Sequence, residues 1–164
     1  MMQQIIEALK FIFPAYCANA VPVLAGGGLP IDFGKKFLDG EPIFGKNKTF
    51  KGFFFGLAVG TFVGFIEAML FGYSSLQGFV LSLGALIGDL AGAFFKRRLK
   101  IKPGELLPLV DQVDFIVGAL LFMLLIYPSY MGLELVLLVF IITIPLHVLT
   151  NYAAYKMGLK KSPW

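Results

Sequence analysis

The spacing of its apolar runs most constrains what this chain can fold into. Five runs, at about residues 5–29, 53–73, 76–95, 115–127 and 133–155, are long enough or nearly so to cross a hydrocarbon core, which takes about 20 helical residues. The fourth run is short and is closed by Pro128; extending it backward to about residue 111 brings Asp111 and Asp114 into its first turn. The expected fold is an all-α integral membrane protein, a bundle of five transmembrane helices at about 5–29, 53–73, 76–95, 111–127 and 133–155. Residues 1–164 then form a single polytopic membrane domain, with long loops at about 30–52 and 96–110. Composition agrees: 58% of residues are hydrophobic and 15% charged, against about half apolar and a quarter charged in soluble domains. The one cysteine, Cys17, lies in an apolar run, which excludes a disulfide framework and a cysteine-based metal site. The N-terminus lacks a basic stretch followed by a small-residue cleavage motif, so the first run is expected to be a retained helix.

The cations set an orientation. Of 14 Lys and Arg residues only Lys10 lies outside the two long loops and the C-terminal tail, where Lys156, Lys160 and Lys161 stand. With five spans all three basic regions share one side, and the positive-inside rule makes that side the cytoplasm. The N-terminus is then outside, and a polar site between the loops faces the cytoplasm.

Polar residues inside spans are costly and are usually paired or functional. Asp89 precedes Lys96 by seven residues, which places it about 10 Å inside the membrane at the helical rise. Asn19 on the first helix and Asn151 with Thr150 on the last lie at comparable depth, and Asp111 and Asp114 open the fourth helix. These groups are expected to converge in the cytoplasmic half of the bundle, with Asn19 and Asn151 as its polar lining. Glu67 and Glu134 lie toward the opposite end, where solvated interfacial carboxylates are expected.

Asp111 and Asp114, spaced i, i+3, face one way from a helix start. With Asp89 from the neighbouring helix they suit a hard cation such as Mg²⁺, which takes one or two carboxylates together with substrate phosphates. Complementing the helix dipole explains one interfacial Asp but leaves Asp89 unaccounted for. The basic run Lys96, Arg97, Arg98, Lys100 and Lys102, with a Pro103-Gly104 turn after it, serves in part as lipid-binding flank. One or two of its side chains are expected to turn inward onto phosphate. Upstream, GKNKTFKG at residues 45–52 imitates the start of a P-loop. Asn47, however, stands where Ser or Thr must hold metal, and no strand precedes it. What remains is a flexible backbone with Lys46, Lys48 and Lys51, and a Thr49 able to cap a helix N-terminus that attracts anions. The expected phosphate-binding set is therefore Lys46, Asn47, Lys48, Thr49, Lys51, Lys96, Arg97 and Arg98. His147, two residues after Pro145, is expected to be a locally satisfied histidine at a kink. Gly52, Gly56, Gly60 and Gly64 read as a close helix-packing face.

The strings GDLAGAFFKRR and KPGELLPLVDQVDF, with AGGGLPIDFGKKFLDGEPIFGKNKTFKG upstream, resemble the archaeal CDP-archaeol synthase family, itself similar to the CDP-diacylglycerol synthases. The resemblance runs over nearly the whole chain. It implies Mg²⁺-dependent transfer of a cytidylyl group from CTP to an isoprenoid ether lipid phosphate, digeranylgeranylglyceryl phosphate, with release of pyrophosphate. The metal-binding D-x-x-D pair of the wider superfamily falls on Asp111 and Asp114, and the acid preceding its KR pair falls on Asp89, giving these three the catalytic and metal roles. The superfamily's His-Gly-Gly element is absent, with Leu107, Pro108, Leu109 and Val110 in its place. The implied partners are CTP, the lipid phosphate and membrane lipids, without nucleic acid. A small ion- or proton-coupled transporter would also place Asp89 and Asn19 inside a bundle, although it needs a path from both sides. A scaffold protein leaves three aligned carboxylates unexplained. The CDP-alcohol phosphotransferase pattern fails at Phe115, where glycine is required.

Overall fold

The computed structural model describes residues 1–102, 105–107 and 109–159. The Pro103-Gly104 turn, Pro108, Lys160 and Lys161 lie outside the described residues. Among those described, every regular element is helical, and β pairing is confined to two isolated bridges, Pro30 with Thr49 and Lys36 with Pro42.

The first apolar run forms two helices. Helix α1 (Met2–Ala20) is followed by the short α2 (Pro22–Ala25), with Pro22 at its first position. The run then leaves helical geometry at Gly26, Gly27 and Gly28, whose φ angles of 54°, 57° and 110° only glycine adopts readily. Helix α3 (Phe50–Phe71) starts earlier than its apolar run, because the Thr49 side chain accepts the Gly52 N–H and caps it. It stops at Gly72, which is left-handed. Helix α4 (Ser75–Arg98) runs past the expected boundary at 95, so Lys96, Arg97 and Arg98 belong to its last turn. Cations there complement the carbonyl end of the helix. Helix α5 (Val110–Ile126) carries Asp111 in its first turn, and α6 (Leu133–Lys156) follows a single 3₁₀ turn, Pro128–Tyr130. Among the described residues, four helical stretches have the length and apolar character to cross a membrane: Met2–Ala25, Phe50–Phe71, Ser75–Arg98 and Leu133–Lys156. Helix α5, at 17 residues, is shorter.

Helix α4 packs against α1, α3 and α5. Its closest backbone approaches to α3 and α5 are made through glycine. The expected packing face Gly52, Gly56, Gly60 and Gly64 is buried, and Gly64 meets Gly78 backbone to backbone. Gly84 and Gly88 meet Gly118 of α5 in the same way. Larger side chains fill the remaining core: Phe11 and Ile12 from α1, Val80 and Leu81 from α4, Phe115, Ile116 and Met123 from α5. Helix α6 is peripheral, with only Val139 and Thr143 among its described residues buried, and the Thr143 hydroxyl lies 2.8 Å from the Tyr16 hydroxyl.

One expectation fails here. Glu67, read as a solvated interfacial carboxylate, is 8% exposed. It follows Gly64 by three residues, so the helix repeat carries it onto the buried glycine face. Glu134 is exposed as expected and accepts a hydrogen bond from Gln4 Nε2.

Candidate active site

The first long loop is folded, where the sequence reading expected flexible backbone. Its base is clasped by Ile31 N–H donating to the Lys48 carbonyl (2.8 Å) and Phe50 N–H donating to the Leu29 carbonyl (3.0 Å). Its interior is organised by Asp32. That buried carboxylate accepts the N–H groups of Gly34 (2.9 Å), Phe44 (3.0 Å) and Gly45 (2.8 Å). Burial pushes the Asp32 carboxyl up, but the backbone donors outweigh it together and hold it below the usual carboxylate range.

The folded loop presents Lys48 to α4. Its ammonium lies 2.6 Å from Asp89 Oδ1 and 2.5 Å from Oδ2. Asp114 lies across the α4–α5 seam from Asp89. It is half-buried over Gly92, and Lys48 and Asp89 are both within electrostatic reach of it. Its Oδ1 accepts the Phe115 N–H at 2.6 Å.

Asp111 is engaged elsewhere: Lys96 Nζ lies 2.7 Å from its Oδ2, which also accepts the Leu107 N–H at 3.0 Å. Lys96 also donates to the Glu105 carbonyl at 2.6 Å. Among the described residues no three His, Cys, Asp or Glu side chains gather as a metal cluster. Asp114 is thus within electrostatic reach of both Asp89 and Asp111, while Asp89 is ion-paired with Lys48 and Asp111 with Lys96.

The other expected phosphate ligands divide. Lys46, Asn47 and Lys51 are exposed around Lys48, and Thr49 is occupied in capping α3. Arg97 is 6% exposed and donates to the Ile101 carbonyl. Arg98 reaches back to the first loop. Its guanidinium donates to the Pro42 carbonyl at 2.6 Å and stacks over the Phe37 and Phe94 rings, 4.9 and 4.6 Å from their centroids. Its Nε lies 2.6 Å from Asp39 Oδ2, an ion pair whose N–H is not aligned for a hydrogen bond. In this arrangement both arginines bind protein rather than stand open to an anion.

Asn19 is half-buried near the end of α1. Asn151 lies 3.2 Å from His147 Nδ1, and the His147 ring packs on Phe115 with centroids 5.6 Å apart, in line with a locally satisfied histidine. Both line a groove of about 660 Å³ that also takes in Gln112, Pro145 and Tyr152. Asn151 is therefore brought beside α5 close to the residue following Asp111, and not onto the Asp89–Asp114 pair.

Sequence reasoning missed Asp32 and Gly92. The D-F-G run at residues 32–34 was a legible signal for the first, since Asp followed two residues later by Gly makes an Asx turn. Gly92 had none, because its role depends on which residue of α5 lies opposite.

The pair suits a hard divalent cation. Its donors are carboxylate oxygens, Gly92 leaves room for one of them, and an ammonium already stands against the other as a substitute positive charge.

A model of the CarS-like CDP-archaeol synthase family matches residues 1–164. The chain is 47% identical to a CDP-archaeol synthase of Pyrococcus furiosus, over 99% of this chain and 100% of that protein. It is 39% identical to one of Methanocaldococcus jannaschii, over 96% of each. A solved structure described as an intramembrane enzyme for archaeal membrane lipids biosynthesis superposes with a TM-score of 0.83 at 38% identity, covering 90% of this chain and 94% of that one.

Proposed function

This chain belongs to the CDP-archaeol synthase family and is a multi-pass membrane cytidylyltransferase, and we propose that it joins the cytidylyl group of CTP to digeranylgeranylglyceryl phosphate at the Asp89–Asp114 pair, with Mg²⁺. The observation that carries this placement is the convergence of Lys48, Asp89 and Asp114, a cation from a folded loop above two carboxylates at one end of the bundle.

A lipid phosphate oxygen attacks the α-phosphorus of CTP, a new P–O bond forms, and the α–β bridge breaks to release pyrophosphate. A phosphate monoester is largely ionised at neutral pH, so the step needs no strong general base. Positioning and neutralisation of charge remain, which is what this site supplies. Mg²⁺, when bound, screens the phosphate oxygens and polarises the α-phosphorus; Asp89 and Asp114 would hold it. Lys48, with exposed Lys46 and Lys51 and the capped α3 N-terminus, lines the triphosphate side. Lys96, held by Asp111, presents a further cation at the same end. The end of α4 meets the first loop through Arg98. We read the chain as one polytopic domain of five spans, counting the 17-residue α5 as one of them; the bias of Lys and Arg toward the loops supports a site on the cytoplasmic side, where CTP is made. The lipid's two chains stay in the bilayer. Family membership gives the transporter reading no support.

The test is incubation of purified protein with each labelled nucleoside triphosphate, Mg²⁺ and the lipid phosphate. Lipid-linked nucleotide formed with CTP and not with ATP, GTP or UTP is expected. No lipid-linked product with any of them would overturn the reading.

A further inference from the structure

We propose that Lys48 is a built-in substitute for the divalent cation: without nucleotide its ammonium occupies the place against Asp89 and beside Asp114, keeps free metal out, and is released when metal arrives with a triphosphate. The inference rests on the nucleotide site proposed above.

Both Asp89 oxygens are engaged by one ammonium at 2.6 and 2.5 Å. This is a short, charge-assisted contact, and it puts the ammonium astride the two oxygens, where a chelated metal would sit. Asp114 stands close enough to Asp89 for the two negative charges to repel. Two carboxylates at that separation inside a bundle are costly unless a cation lies with them. Lys48 is the cation present.

Its attachment suits exchange. The backbone of Lys48 is fixed, since its carbonyl accepts the Ile31 N–H and its own N–H donates to the Gly45 carbonyl at 3.1 Å. Only the four-carbon stem has to move. Lysine, a compact point charge on a flexible chain, is suited to leaving one anion for another. A tethered ammonium acts at high effective concentration, so a metal ion alone competes poorly with it. A metal ion bound to triphosphate brings additional oxygen ligands, and the triphosphate offers Lys48 a new anion. Charge at the pair is then never left unmet during exchange.

The measurement is made without nucleotide, so it reads the exchange and not turnover. Mn²⁺ binding is followed by its electron paramagnetic resonance signal on purified wild type, Lys48→Gln, Lys48→Arg and Lys48→Gln/Asp89→Asn. Lys48→Gln is expected to bind Mn²⁺ about tenfold more tightly than wild type, or better. Its melting temperature should rise with Mg²⁺ where that of wild type does not. Lys48→Arg keeps the charge and should keep the metal out, and the double variant should lose the gain. Equal Mn²⁺ affinity in wild type and Lys48→Gln overturns the proposal. A second readout needs no variant: Mg²⁺ alone should leave acylation of wild-type Lys48 by an amine-directed reagent unchanged, read by mass spectrometry. Labelling that rises across the titration equally sinks it. A failure of CTP turnover would leave these outcomes unaffected, so the two readings fail separately.

Discussion

Gly92 and Asp114 share one space. A Cβ at Gly92 would lie 2.7 Å from Asp114 Cγ and 2.8 Å from its Cβ, so the carboxylate of α5 fills the volume that α4 leaves vacant. The expected consequence of Gly92→Ala is therefore local. The added methyl displaces the Asp114 carboxylate at a cost of about 1–3 kcal/mol of stability, and turnover falls far more than folding does. Comparing kcat with the melting temperature of the same preparation checks this. Full turnover in Gly92→Ala would show that the position of Asp114 is immaterial.

Asp89, Asp111 and Asp114 should now separate. Asp89→Asn and Asp114→Asn each remove one member of the close pair, and each should abolish nearly all turnover. The double variant should be scarcely worse, because groups acting as a unit fail together. Asp111→Asn instead releases Lys96, and is expected to cost about 10–100-fold, as for a residue that orients another. Turnover numbers for the four proteins, at saturating CTP, test the ranking.

Arg98 is expected to act through the first loop. Arg98→Ala removes the Asp39 ion pair, the Pro42 hydrogen bond and two ring contacts, and should destabilise the loop by about 2 kcal/mol. Its signature is a raised KM for CTP together with faster proteolysis between residues 33 and 44. Arg98→Lys keeps charge but not the planar stack, and should restore only part of each. A rise in KM with unchanged proteolysis would mark Arg98 as a direct phosphate ligand instead.

Asp32 gives the loop a pH dependence. Its carboxyl is held below the ordinary range in the folded protein, so the unfolded loop binds the proton more readily. The stability it contributes is complete above the ordinary carboxylate value of about 3.9 and disappears as pH falls through the lower, folded value. Loop proteolysis should be flat from neutral pH to about 5 and rise in more acid solution. Asp32→Asn puts an amide NH₂ against backbone donors, so its loop should be loose already at neutral pH and respond little to acid.

Topology is tested in a Cys17→Ser background, since Cys17 is a free, half-buried thiol. Cysteines placed at Lys46 and Lys100, both exposed, should resist an impermeant thiol reagent outside intact cells and react after lysis. Labelling from outside would reverse the orientation and put the site on the wrong face for CTP.

What the sequence made legible were features decided by composition along one segment. The helices, the carboxylate Asp89 in an apolar run and the glycine face of α3 are of this kind. Helix ends were less so: α4 continues through Lys96, Arg97 and Arg98 because a helix terminus welcomes cations that a hydropathy window rejects. Partners across the fold were not legible. Asp89 needed a counter-charge, and the nearest cations in sequence were Lys96, Arg97 and Arg98; the structure supplies Lys48, 41 residues upstream. That choice depends on the clasp at residues 29–31 and 48–50 and on Asp32 shaping the loop, both of them tertiary facts. Glu67 went wrong for the same reason, since depth along a helix says nothing about which way its face points.

The glycine seams carry a consequence for how such a chain can change over time. At Gly64 and Gly78, and at Gly84, Gly88 and Gly118, backbone meets backbone. Glycine is the smallest residue, so mutation at any of these positions is one-directional: it adds volume and never removes it. Drift elsewhere in the core can be compensated by a smaller neighbour, but here no neighbour can shrink. The α4–α5 separation, and with it the span between Asp89 and Asp114, therefore sits at its geometric floor. Substitution can only prise the two acids apart.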